Sequence, residues 1–133
     1  MVTHLLDTNV CVEILRGRGE KIVSRCVSHP PGSLVISAVS LGELAFGASL
    51  STKENEAVRV ATLVGDFQMI PFEDAAAWEY GKIRHELKKT GCPMGGLDLM
   101  IAATARANGW TVVTNNTGEF SRIRGLRLED WQH

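Results

Sequence analysis

Four acids fall where an α/β chain presents functional groups: Asp7, Glu43, Asp98 and Glu119. Asp7 closes the mostly apolar run Val2-Thr3-His4-Leu5-Leu6 and is followed by Thr8-Asn9, the pattern of a buried strand ending in a polar turn. Glu43 comes six residues after the run Leu34-Val35-Ile36-Ser37, on the helix that the run feeds. Asp98 opens the helix that leads into Trp110-Thr111-Val112-Val113-Thr114, and Glu119 follows that run by five residues. In a doubly wound sheet the carboxyl ends of the strands border one crevice, where all four acids can converge. Two carboxylates about 4 Å apart repel by roughly 4 kcal/mol at an effective dielectric of about 20. A cluster of four therefore raises some pKa values or recruits a cation. Oxygen donors with few histidines favour Mg²⁺ or Mn²⁺ over zinc. Such an ion, completed by water and substrate phosphate, suits phosphodiester hydrolysis.

Each acid also has a purely structural role open to it. Asp7 is a good helix N-cap. Glu43 completes the capping-box pattern Ser40-x-x-Glu43, although Ser37, directly after its strand, is the more natural cap. Asp98 sits in a first turn, where the helix dipole favours a carboxylate. Glu119 suits the start of a short helical turn. With 15 acids in the chain, spacing alone leaves both roles open.

The elements that must position these groups follow from periodicity. Val10, Cys11, Ile14 and Leu15 predict a helix to about Arg16, broken by Arg16-Gly17-Arg18-Gly19. Lys21 to Val27 reads as a second helix with Ile22, Val23 and Val27 inward, stopped by His29-Pro30-Pro31-Gly32. Leu34–Ser37 is a strand, and Leu41, Leu44, Ala45 and Ala48 make the apolar stripe of the helix after it. Ser51-x-x-Glu54 is a capping box for a helix with Val60, Leu63, Val64 and Phe67 on one side. Met69-Ile70-Pro71-Phe72 is an edge strand, since proline cannot donate to a ladder. Asp74 caps a long helix to about Lys89, with Ala76, Tyr80, Ile83 and Leu87 inward and Lys82, Arg84, His85, Lys88 and Lys89 on a basic outer face. Residues 90–96 form a loop. Leu97 to Asn108 is a helix with Leu97, Met100, Ile101 and Thr104 inward, ended by Gly109. Trp110–Thr114 is a third strong strand, Leu126-Arg127-Leu128 a short last one, and residues 129–133 a tail. Strands alternating with helices specify an α/β fold with a mainly parallel sheet.

Composition narrows the functional classes. A 133-residue chain with 44% hydrophobic and 22% charged residues is an ordinary globular domain. No basic leader or long apolar stretch marks a signal peptide or membrane span. Cys11, Cys26 and Cys92 share no metal-like spacing and read as reduced, cytoplasmic, mostly buried thiols. The four scattered histidines suggest no zinc site. A net charge of −1 argues against a chain that coats nucleic acid, so any polyanion is handled at a local site. No phosphate-binding glycine fingerprint follows a strand.

Four segments together resemble the motifs of PIN-domain ribonucleases, most of all the bacterial toxin branch VapC: Leu6-Asp7-Thr8-Asn9; Ile36-Ser37 with Leu41-Gly42-Glu43-Leu44; Asp98-x-x-Ile101-Ala102-Ala103; and Val113-Thr114-Asn115-Asn116-x-x-Glu119-Phe120. The resemblance covers essentially the whole chain, including Gly125-Leu126-Arg127-x-Glu129-Asp130-Trp131. It implies a single PIN domain over 1–133 with a five-stranded parallel sheet flanked by helices. It further implies a catalytic pocket of Asp7, Glu43, Asp98 and Glu119, with Asp7 and Asp98 as direct ligands of Mg²⁺ or Mn²⁺. Glu43 and Glu119 would complete the site directly or through water, and Thr114 and Asn116 would support it by hydrogen bonds. The chain departs from the family in carrying Glu119 where an aspartate is common, and Gly118 where the nearest subgroup often has a basic residue. The family also implies a homodimer, a VapB antitoxin partner that inserts a peptide into the pocket, and a structured RNA substrate, in this subgroup initiator tRNA. Two readings compete. One is a non-catalytic PIN-like module that binds RNA or protein, motivated by Glu119 and the near-neutral charge. The other is an aspartyl-phosphate phosphatase, which would want an aspartate at position 9, where Asn9 stands.

Overall fold

The computed structural model describes all residues from Met1 to His133. In chain order the elements are β1 (His4–Leu6), α1 (Thr8–Leu15), α2 (Glu20–Ser28), β2 (Leu34–Ser37), α3 (Ala38–Leu50), α4 (Glu56–Gly65), β3 (Gln68–Ile70), α5 (Asp74–Thr90), α6 (Gly96–Asn108), β4 (Thr111–Val113), α7 (Thr117–Phe120) and β5 (Leu128–Glu129). The five strands form one sheet in the order β3-β2-β1-β4-β5, every pair parallel. Strand order therefore reverses at β1. The chain works outward to β2 and β3, then returns to β4 on the other side. The carboxyl ends of β1 and β4 flank that switch point, where open α/β sheets place their ligand crevice.

Strand alternation divides the core between the two faces. Leu6, Ile36 and Val113 share one face with Val10, Cys11, Ile22, Leu44, Val60 and Trp131. Leu5 and Val35 point the other way, against Ile101 of α6. Beyond them α5 and α6 pack on each other through Ile83, Leu87, Leu99, Ala102 and Ala103. The small alanines let the two helices approach closely, and α6 places its first turn at the switch-point end.

Several expectations give way to tertiary context. α2 meets the body along Ile22 and Cys26, four residues apart, which turns Val23 and Val27 to solvent. On α3, Ala45 is exposed and the contact runs through Ser40, Leu44 and Ala48. The Ser51 hydroxyl accepts from Lys53 N in a local turn rather than starting a helix. α4 begins only at Glu56, after Asn55 in left-handed conformation. Asp74 is the first residue of α5, with Glu73 before it as an N-cap that makes no side-chain bond. Leu97 faces solvent, and Leu99 takes the inward position. The last strand lies at Leu128–Glu129, two residues later than its apolar pattern suggests. Cys92 is exposed, Cys26 partly buried and only Cys11 fully buried. The largest correction concerns the C-terminal tail. Trp131 is buried in the main cluster, stacks on His29 at a ring separation of 4.7 Å, and donates its indole N–H to Glu129 Oε1 at 2.8 Å.

Candidate active site

Asp7 stands just beyond β1, where Asp7 N donates to Val113 O of the neighbouring strand at 2.9 Å. Its side chain is buried, with 1% of the residue exposed. Its capping role is realised, and its second oxygen is held as well. Oδ1 accepts from Thr8 N at 2.8 Å and caps α1, while Oδ2 accepts from the Thr114 hydroxyl at 2.8 Å. Burial pushes the Asp7 carboxyl up to about 6; the Thr114 and Thr8 hydrogen bonds pull it down, and the charges of Asp98 and Glu43 push it further up.

Glu43 makes no capping box. Ser37 caps α3 by accepting from Val39 N at 3.0 Å, which leaves the Glu43 carboxylate free to turn toward β1. Its Oε1 lies 2.7 Å from the Thr8 hydroxyl, and Thr8 Oγ1 lies 2.8 Å from Ser40 Oγ. With one hydrogen to give, Thr8 donates to the carboxylate, the stronger acceptor, and Ser40 supplies the other bond.

Asp98 lies in the first turn of α6, half-buried. Burial raises its pKa, and the nearby charges of Glu119 and Glu43 raise it further. Glu119 sits on α7. Its Oε2 accepts from Asn116 Nδ2 at 2.6 Å, and its Oε1 lies 3.7 Å from Arg122 Nη2. Asn116 is itself tied in, its backbone N–H donating to Thr114 Oγ1 at 2.9 Å. Thr114 therefore links the segment carrying Glu119 to Asp7.

The four acids thus act on one another electrostatically at the switch point. The charges bearing on Asp7 are those of Asp98 and Glu43, and those bearing on Asp98 are Glu119 and Glu43. The charges bearing on the two aspartates include no cation; the Arg122 guanidinium lies by Glu119, and Arg16 lines the same cleft as Glu43. As they stand, no three acid, histidine or cysteine side chains close into a ready-made metal cage. The donor set nevertheless fits a hard divalent ion. It is all oxygen, it lacks histidine and thiolate, and Mg²⁺ is ordinarily held by one or two carboxylates with water filling its shell.

Thr8, Ser40 and Arg122 escape a reading of the sequence. The first two become neighbours only because β1 and β2 are adjacent parallel strands, each running directly into a helix, so that the opening turns of α1 and α3 lie side by side. The signal available was a hydroxyl in the first turn after each strand end, one residue past Asp7 and three past Ser37. Arg122 lies three residues beyond Glu119, a spacing that brings side chains together on a helical turn.

Comparison with known proteins places these residues in context. The family model described as PIN domain matches residues 4–126. The chain is 39% identical to the "tRNA(fMet)-specific endonuclease VapC" of Shigella flexneri, covering 98% of this chain and 99% of that protein. It is 32% identical to "Ribonuclease VapC2" of Haemophilus influenzae over 98% and 99% of the two chains. Among solved structures, a DNA-bound VapBC from Salmonella typhimurium superposes with a TM-score of 0.93 at 37% identity, covering 98% of this chain and 99% of that one.

Proposed function

The chain belongs to the PIN-domain family, in its VapC branch, and we propose from this that it is a metal-dependent endoribonuclease, the toxin of a VapBC-type toxin–antitoxin pair. The observation that carries the reading is the uncompensated pair of carboxylates, Asp7 and Asp98, at the switch point. Asp7 and Asp98 carry raised pKa values without a cation to balance them, an arrangement that destabilises the protein unless a positive ligand arrives.

In this reading Asp7 and Asp98 hold Mg²⁺ or Mn²⁺, and Glu43 and Glu119 complete the pocket directly or through water. The bound ion supplies Lewis-acid stabilisation of phosphate charge and makes water more acidic. The chain's own residues supply the positioning. Thr114 and Thr8 N hold the two oxygens of Asp7, Thr8 Oγ1 holds Glu43, and Asn116 holds Glu119. Because these donors belong to strand ends and first helical turns, the carboxylates are fixed before substrate arrives, as catalysis by positioning requires.

The substrate class follows the name of the Shigella relative: tRNA, with initiator tRNA as the specific candidate. A VapB-type antitoxin is the proposed partner, supported by the likeness to the Salmonella VapBC structure. The toxin itself is proposed to pair as a homodimer within that complex, in the cytoplasm. No helix is long and apolar enough to cross a membrane. The PIN domain is taken to run from residue 1 to 133, since Trp131 seals the main core beyond the matched region.

The test is cleavage of tRNA by the purified chain with Mg²⁺, with chelator, and with Asp7→Ala. Cleavage in Mg²⁺ alone, abolished in a folded Asp7→Ala protein, is the expected result. An Asp7→Ala protein that cuts at the wild-type rate would overturn the assignment.

A further inference from the structure

We propose that Arg84 and Lys88, with Tyr80 between them and the core, form a subsite for single-stranded RNA that leads the substrate strand to the acidic pocket. The inference rests on the ribonuclease reading and extends it to residues outside the four acids.

The observation is a cleft of about 510 Å³ between the C-terminal half of α5 and the start of α6, lined by Tyr80, Arg84, Leu87, Lys88, Met94 and Leu99. That volume is within the roughly 300–1,000 Å³ of pockets that accept small organic groups. Its two walls differ. One is cationic, formed by Arg84 and Lys88. The other is the apolar segment through Met94 that runs into α6 and reaches Asp98 four residues on. Met94 and Gly96 line the cleft, and a β-carbon at Gly95 between them would lie 3.9 Å from Asp98 Oδ2, so this one segment joins the cleft to Asp98. Arg122 fixes it by donating to Cys92 O and Pro93 O, at 3.2 and 3.4 Å, while facing Glu119.

The cations of this wall have no protein partner of opposite charge. Of the acids on α5, Glu79 and Glu86 turn to Arg106, and Lys82 stays 3.9 Å from Glu79. Arg84, Lys88 and Lys89 form no ion pair, and Arg84 donates only to Tyr80 Oη at 3.1 Å. Arg84 and Lys88 are one helical turn apart, a spacing at which like charges oppose helix formation. Lys88 and Lys89 do complement the helix dipole in the last turn. Arg84 lies more than a turn further back, beyond that effect, and faces the same cleft. In a chain of net charge −1, cations without ion-pair partners, joined by one segment to Asp98, suit a ligand whose backbone is anionic and whose reacting group needs a metal. An unstacked base placed over Tyr80 and Met94, with its phosphates on Arg84 and Lys88, uses both walls. Duplex RNA keeps its bases stacked and cannot fill the cleft in this way.

The test measures binding of a labelled single-stranded RNA of about 12 nucleotides, within the usual site sizes, to the uncleaving Asp7→Asn chain across a range of KCl concentrations. Adding Arg84→Gln and Lys88→Gln is expected to weaken binding at least about tenfold and to reduce the slope of log K against log salt by about 1.4, at roughly 0.7 per phosphate contact on a single strand. A charge-matched control, Lys21→Gln with Arg124→Gln on exposed surface elsewhere, should change the slope by less than about half as much. Tyr80→Leu should weaken binding and Tyr80→Phe should not, because every base stacks on an aromatic ring. Melting of the Arg84→Gln, Lys88→Gln chain should stay within about 3 °C of its parent, since relief of the like-charge pair offsets the lost Arg84–Tyr80 hydrogen bond and the Lys88 contact with the helix dipole. Unchanged RNA binding, an equal loss in the control, equal binding of duplex RNA, or weakened binding of the antitoxin alone would each overturn the subsite. An Asp7→Asn background that still cuts RNA would instead count against the ribonuclease reading, and this inference would fall with it. An inert background that binds RNA without regard to Arg84 and Lys88 counts against the subsite alone.

Discussion

The Thr114 hydroxyl donates to Asp7 Oδ2 at 2.8 Å, joining the ends of two neighbouring parallel strands that are 107 residues apart in the chain. This bond is the largest influence holding the Asp7 carboxyl down against burial. Thr114→Val removes it and strands a buried acceptor, at a cost of about 1–3 kcal/mol. The Asp7 pKa then rises above its value of about 6. Activity should fall most on the acid side, with the rising limb of the pH–rate profile displaced upward, whereas Thr114→Ser should keep the profile in place.

Asp7 also trades stability for charge. Its pKa is raised from 3.8 to about 6 in the folded chain, so the native state binds the proton more tightly than the unfolded state. Below the lower value both states are protonated and there is no penalty. The penalty grows as pH rises between the two values and is complete above the upper one. Its full size is about 3 kcal/mol, from roughly 1.4 kcal/mol per pH unit. Asp7→Asn keeps a good N-cap residue and removes the charge. It should therefore be inactive, yet melt several degrees above wild type at about pH 8, with the gap closing toward about pH 4. Thermal melts across pH check this.

Thr8 holds Glu43 through one hydroxyl hydrogen. Thr8→Val should release that carboxylate and lower kcat about tenfold, consistent with loss of one positioning bond of roughly 1.4 kcal/mol. It should also cost about 1 kcal/mol of stability through the unsatisfied Ser40. Thr8→Ser should recover both, as single-turnover cleavage and melting will show.

Trp131 belongs to the core despite its place near the C-terminus. Its ring is 3% exposed, stacks on His29 and carries the Arg25 guanidinium 5.3 Å from its centroid. Trp131→Ala should cost about 3–5 kcal/mol, the range for removing a large buried aromatic. Denaturant unfolding will measure that loss.

The sequence was most informative where local chemistry decided the outcome. Apolar runs ending in Asp7, Ser37 and Thr114 marked the three central strands and the end of the sheet where the acids meet. Ser37, directly following its strand, was legible as the cap of α3, which freed Glu43. What escaped depended on contacts distant in the chain. Val23 and Val27 fit an inward stripe as well as Ile22 does, and only the line of contact with the body separates them. The Thr8–Glu43 bond requires knowing that β1 pairs with β2. Trp131 looked like part of a polar tail because its ring partners, His4 and His29, come from the first quarter of the chain.

The central claim is that Asp7, Glu43, Asp98 and Glu119 serve one divalent ion. Calorimetric titration of the apo chain with Mn²⁺ at about pH 8, where Asp7 is ionised, tests it most directly. Wild type should take up the ion with a measurable heat that owes nothing to Asp7 proton release at this pH, and Asp98→Asn should lose most of that binding. Wild type that takes up no Mn²⁺, or an Asp98→Asn chain that binds it as tightly as wild type, would contradict the claim.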